Sequence, residues 1–229
     1  VDEMLRENEL SFQDSRVIVS GSGNVSTYAM EKAMELGATV IACSDSGGYI
    51  YDETGIDLDV VKQIKEVDKK RIHEYLKYYP EATYVEDCSK IWELPCDIAL
   101  PCATQNELDE ESAKALVANG VKAVGEGANM PSSIEAIQYF QKKGVLFAPA
   151  KAANAGGVAV SAMEMSQNSM RLSWTTEEVD ERLHNVMKNI YDSCTNAAKQ
   201  YGEPGNLVMG ANVAGFLKVA NAMLTHGIH

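Results

Sequence analysis

The sequence is short of basic residues and aromatic side chains, and it lacks every spacing of cysteine or histidine that announces a metal. Lys and Arg number 20 against 33 Asp and Glu, for a net charge of −13. Such a surface repels nucleic acid and anionic lipid, so neither is expected as a partner. A phosphate-bearing ligand would have to be held by local groups. The cysteines Cys43, Cys88, Cys96, Cys102 and Cys194 include no C-x-x-C pair and read as reduced, mostly buried thiols. His73, His184, His226 and His229 show no H-x-x-H or H-E-x-x-H spacing, which gives them surface or structural roles and leaves no metal site expected. No apolar run approaches bilayer length and no secretory pattern opens the chain, so a cytoplasmic protein without membrane association is the expectation.

What is present is ordinary globular material: 229 residues, 45% hydrophobic and 23% charged, enough to bury a real core. It is arranged around residues 17–30. A β-branched run ends at Gly21, where a tight turn is needed, and Gly23 has no side chain to hold a pyrophosphate off the backbone. The following helical pattern then offers unpaired N–H groups and a positive dipole end to phosphates. Ser26 stands where the dinucleotide fingerprint wants Gly or Ala. Gly37 closes the helix, residues 39–43 form a second strand, and Asp45 follows Gly23 by the roughly 20 residues expected of the acidic member of such a site.

Residues 1–14 are charged, carry a partial helical stripe at Met4, Leu5 and Leu10, and read as the cut end of something longer. Ser44 to Gly48 reads as the loop at the carboxyl end of the second strand. Asp57 is placed to cap a helix through Leu58, Val61 and Ile64, and a second helical segment runs to Tyr79 before Pro80. Lys62, Lys65, Lys69, Lys70 and Arg71 form a solvated face on these helices. Strands over 83–85, 96–100, 123–127 and 146–148 alternate with helices over 110–119 and from a Ser132/Glu135 capping box to Phe140. From Val158 the pattern is helix only, with a capping box at Thr175/Glu178 and an apolar last segment over 207–224. The expectation is an α/β fold, a doubly wound parallel (Rossmann-type) sheet with a helical C-terminal extension, as one domain over 1–229.

Polar and small residues collect where such a sheet presents its ligand edge, over 101–106, 126–131 and 151–161. Asn side chains both donate and accept, which suits a carboxamide or a ribose hydroxyl. Gly156-Gly157 permits close approach of backbone to a ligand.

The runs Pro101-Cys102-Ala103-Thr104-Gln105-Asn106, Glu126 to Pro131, and Asn154-Ala155-Gly156-Gly157-Val158 continuing to Asn168 resemble the cofactor half of hexameric bacterial glutamate dehydrogenases, from about Ser15 to the C-terminus. The resemblance implies a pyrophosphate site at Gly21, Ser22, Gly23, Asn24 and Val25. It implies Ala103, Thr104 and Asn129 along the nicotinamide ribose, Asn154 on the carboxamide, and Val158 and Ser161 facing substrate. The implied reaction is reversible oxidation of glutamate to 2-oxoglutarate and ammonia by hydride transfer, in a homo-hexamer when full-length. The family's substrate domain, with its catalytic lysine and aspartate, has no counterpart here, so no catalytic residue is assigned, the chain is expected to be inactive by itself, and a monomeric state is left open.

For the cofactor, Asp45 would ordinarily hold the adenosine ribose hydroxyls and favour NAD. The run from Ser44 to Gly48 is instead similar to NADP-using members, in which Ser46 and two basic residues, here Lys65 and Arg71, surround the 2′-phosphate. NADP is therefore expected, with NAD as the alternative. Two other functions stay open: a dehydrogenase of another amino acid such as leucine or phenylalanine, against which Ser161 argues for a carboxylate-bearing side chain, and a stand-alone dinucleotide-binding module.

Overall fold

The short β-branched runs pair as a seven-stranded sheet in the order β4-β3-β2-β1-β5-β6-β7. The strands are Arg16–Val19 (β1), Thr39–Asp45 (β2), Gly48–Tyr51 (β3), Thr83–Val85 (β4), Ile98–Leu100 (β5), Ala123–Gly125 (β6) and Leu146–Ala148 (β7). The computed structural model describes residues 1–227, so His229, read above as a surface or structural residue, lies outside the described residues. Two compact units form, Val1–Ala150 and a second from Lys151 onward.

In the first unit β2, β1, β5, β6 and β7 are parallel, and Val17, Ile18, Val19, Val40, Ile41 and Ala99 at its centre are fully buried. Strands inaccessible on both faces read as continuous apolar runs, as these do. The sheet is nevertheless mixed. Ser46-Gly47 is a two-residue hairpin turn that returns the chain as β3, antiparallel to β2, and β4 pairs antiparallel to β3. The expectation of a loop over 44–48 is corrected here, because the aromatic and β-branched run Tyr49-Ile50-Tyr51 extends the pairing past the turn, while the doubly wound parallel core is as read.

Helices Asp2–Glu7 (α1), Asn24–Glu35 (α2), Leu58–Lys62 (α3), Glu110–Ala118 (α4) and Ile134–Lys143 (α5) complete this unit. The two helical segments expected between Asp57 and Tyr79 are present: α3, capped by Asp57, passes into a π-helical turn over Gln63–Val67, the chain turns through Lys69 at φ 55, and the second segment is a 3₁₀ helix over Ile72–Lys77. Residues 96–97 fall outside β5, and the Asp97 carboxylate there accepts from Arg16 N at 2.9 Å. The α5 cap is also one residue later than expected. Ser133 Oγ accepts from Ala136 N, whereas Ser132 is buried and spends its N–H on Glu126.

The second unit is helical, with Ala155–Met170 (α7), Thr176–Gln200 (α8) and Leu207–His226 (α9), preceded by the short Ala150–Ala153 (α6). The capping box at Thr175 and Glu178 is formed as read. At Gly210 on α9 an added Cβ would collide with the Cys194 carbonyl of α8, so the two helices meet backbone to backbone. Helix α9 is long and apolar enough to span a bilayer by length and composition, with a mean hydropathy of 1.5 over an 18-residue stretch. Asn212, Lys218 and Asn221 interrupt the run, which is why no membrane-length segment stands out in the sequence.

Candidate functional site

Strands β1 and β5 are neighbours in the sheet although 81 residues separate Val17 from its partner Ile98. Connections leave toward opposite edges of the sheet at this point, which opens a crevice beyond the strand ends. Four contacts fix the loops around it. Ser20 Oγ accepts from Cys102 N at 2.8 Å, and Ser44 Oγ accepts from Gly21 N at 2.8 Å. Ser26 Oγ donates to Ser20 O at 2.9 Å and lies 3.3 Å from Cys102 O. The serine at the third fingerprint position is thus a tie between β1 and the loop after β5, and it is buried.

The two glycines have opposite surroundings. Gly21 lies at φ +85, and a Cβ there would run into Ser26 Oγ and stand 3.1 Å from Ala103 Cα and Cβ. A Cβ on Gly23, the N-cap of α2, would meet nothing within 4 Å. No side chain caps α2 and no acidic residue lies in its first turn, so the N-terminal N–H groups face an open space suited to an anion. Ser22 is buried beside it, and Asn24 and Val25 are exposed at the same end.

At the end of β2 the Asp45 carboxylate is already occupied. Its Oδ1 accepts from Gly47 N at 2.8 Å, its Oδ2 accepts from Ile72 N at 2.9 Å, and Lys65 Nζ stands 3.4 Å from Oδ2. Burial would raise its proton affinity. The two backbone amides and Lys65 outweigh that and hold the carboxyl below the usual carboxylate range. Arg71 donates to Ser46 Oγ and lies 4.0 Å from Asp45 Oδ2. Lys65, Lys69, Lys70, Arg71, His73 and Glu74 line a hollow beside this turn. The charged face read from the sequence is a concave cationic surface, built by the chain reversal at Lys69.

The loop after β5 exposes Ala103 and Thr104, and their backbone amides are turned inward onto Glu107 Oε1, at 3.0 and 3.2 Å. Burial pushes the Glu107 carboxyl up, partly opposed by hydrogen bonds from Ser20 and these two amides. After β6, buried Glu126 accepts from Ser132 N at 3.2 Å and from Ala150 N at 2.7 Å, bracing the loop that exposes Asn129. Sequence reasoning passes over Glu107, Ser20 and Ser44, since none sits in a spacing pattern.

In the second unit Asn154 is the N-cap of α7, Val158 is 77% exposed, and exposed Ser161 donates to Gly157 O at 3.1 Å. Among the described residues no cluster of His, Cys, Asp and Glu is arranged to hold a metal. The five cysteines are unpaired, with only Cys88 exposed.

A glycine turn feeding an uncapped helix at the switch point is shared by many unrelated nucleotide-binding proteins. The family model for glutamate/leucine/phenylalanine/valine dehydrogenases decides between them, matching residues 1–227. The chain belongs to this dehydrogenase family. It is 53% identical over 229 residues to an NADP-specific glutamate dehydrogenase of Escherichia coli, covering 99% of this chain and 51% of that protein. To an NAD(P)-specific glutamate dehydrogenase of Xylanibacter ruminicola it is 51% identical over 232 residues, covering 100% and 52%. The crystal structure of Plasmodium falciparum glutamate dehydrogenase superposes with a TM-score of 0.94 at 43% identity, over 99% of this chain and 49% of that one. A leucine-bound hetero-hexameric glutamate dehydrogenase of Thermus thermophilus gives 0.88 at 25% identity, over 99% and 51%. This dehydrogenase-family chain spans about half the length of the curated relatives it matches.

Proposed function

We propose that the chain is the dinucleotide-binding part of an NADP-using glutamate dehydrogenase, cytoplasmic and homo-hexameric when full-length. The observation that carries the cofactor choice is the state of Asp45. A carboxylate that accepts from Gly47 N and Ile72 N and faces Lys65 has little capacity left for ribose hydroxyls, which is the NAD-selecting role. It instead faces Lys65 and Arg71, the latter donating to the Ser46 hydroxyl, beside a cationic hollow where a 2′-phosphate would meet charge-assisted donors.

The residues present suit a dinucleotide. Gly21 to Val25 would take the pyrophosphate on the open first turn of α2, and the vacancy beside Gly23 leaves room for it. Ala103, Thr104 and Asn129 would orient the nicotinamide ribose. Asn154 is assigned to the carboxamide, and Val158 and Ser161 to the amino-acid or oxo-acid substrate, on the resemblance alone. The cofactor, when bound, supplies a hydride acceptor or donor; the protein's own share is binding, orientation and exclusion of water.

Calorimetric titration with NADPH and NADH tests the reading. NADPH is expected to bind more tightly, and Lys65→Ala to weaken NADPH by roughly the 1.5–3 kcal/mol of a hydrogen bond to a charged group while leaving NADH nearly unchanged. Equal losses, or tighter binding of NADH to the wild type, would overturn the NADP assignment.

A further inference from the structure

We propose that Glu107 is a positioning residue: by holding the Ala103–Thr104 loop against the glycine turn, it governs binding of the nicotinamide end of the dinucleotide while leaving the adenosine end unaffected. This inference rests on the functional reading above. One carboxylate oxygen, Glu107 Oε1, accepts from two successive backbone amides, Ala103 N at 3.0 Å and Thr104 N at 3.2 Å. The amide just before them, Cys102 N, is taken by Ser20 Oγ at 2.8 Å, so three successive amides of the loop are held by side chains. Ser20, at the end of β1, thus anchors the start of this loop, and Glu107 anchors the two residues that follow.

The held residue, Ala103, lies beside Gly21. Ala103 occupies part of the space a side chain on Gly21 would need, with both its Cα and Cβ 3.1 Å from that position. Glu107 holds the Ala103 amide at that place. The preceding residue, Asn106, is in the left-handed region at φ 57, so the backbone takes an uncommon conformation to bring Glu107 back under its own loop. A half-buried carboxylate is a costly way to cap two amides, and burial does push its proton affinity up. Here a single carboxylate oxygen fixes two consecutive residues. The outward faces of those residues, Ala103 and Thr104, are exposed, while the cationic hollow is built from Lys65, Lys69, Lys70, Arg71, His73 and Glu74, none of which bonds to this loop.

The test compares two probes on the 229-residue chain: NADPH, and adenosine 2′,5′-bisphosphate, which carries the phosphate-bearing adenosine end without nicotinamide. Glu107→Ala is expected to weaken NADPH at least about tenfold, the loss of one hydrogen bond to a charged group, with the bisphosphate held within about twofold. Glu107→Gln keeps a carbonyl acceptor in the same place and is expected to recover much of the loss. Should Glu107→Ala prove unfolded by thermal denaturation, Glu107→Asp, whose shorter side chain draws the carboxylate back from both amides, decides, a larger loss for NADPH than for the bisphosphate supporting the proposal. Parallel losses for both probes, or unchanged NADPH binding, would overturn it. A wild-type chain that binds neither probe overturns the functional reading as well, and that result is seen before any variant is made.

Discussion

At the scale of single residues the two glycines of the first loop make opposite predictions. Gly23→Val places its side chain in open space, so unfolding temperature is expected to stay near wild type while calorimetric binding of NADPH is lost; wild-type affinity would remove this loop from the site. Gly21→Ala meets Ala103 at a positive φ, where a β-carbon costs about 1–2 kcal/mol before any overlap, and urea denaturation is expected to show a destabilised fold. Asp45 supplies a pH test. Its carboxyl is held below the unfolded value, so the charged form stabilises the fold above the usual carboxylate pKa, and that contribution disappears as pH falls through the lowered one. Asp45→Asn should therefore be less stable than wild type at neutral pH, with the gap in unfolding free energy closing in acid. A gap that persisted below the carboxylate range would show that charge is not what Asp45 contributes. The glycines were legible in the sequence because their chemistry is local. Glu107 and Ser44 were not, since their partners are set by folding: Ser44 serves an amide 23 residues away.

At the scale of elements, alternation of strand and helix is readable wherever periodicity and stop signals are both present, as in α2 with Gly37 in the left-handed region. It fails where two signals compete. Ser46-Gly47 looks like a ligand-edge loop and is in fact a hairpin turn, because pairing of Tyr49 to Tyr51 across β2 and β4 extends the sheet. Between Asp57 and Tyr79 two helical segments are readable, and the π-helical and 3₁₀ character of their turns is not, since the amide of Ile72 is taken by Asp45 across the fold. Of two adjacent serines before α5 only Ser132 has a Glu three residues on, yet Ser133 is the one that caps the helix. Ser133→Ala is expected to cost about 1 kcal/mol as loss of an N-cap, and Ser132→Ala to cost less because its hydroxyl has no partner. Thermal melts of the pair check this, and the reverse order would move the cap back to Ser132.

For the molecule as a whole, the chain matches half of each relative's length, and the general acid–base groups implied by the resemblance are not among its assigned residues. Proton transfer alone typically supplies about 10²- to 10⁴-fold. The purified 229-residue chain is therefore expected to bind NADPH without measurable glutamate oxidation, followed by absorbance of the reduced cofactor; robust turnover would place the catalytic groups within these residues. The way Asp45 is held also constrains anyone who would re-engineer cofactor choice. Its carboxylate is the peg on which both the Ser46-Gly47 hairpin and the start of the 3₁₀ helix hang, so exchanging it to alter preference dismantles the frame along with the binding surface. Lys65 and Arg71 reach the same spot from side chains alone. They can be exchanged while two backbone amides still anchor the turn, which makes ligand preference in this fold separable from its architecture at those two positions and inseparable from it at the aspartate.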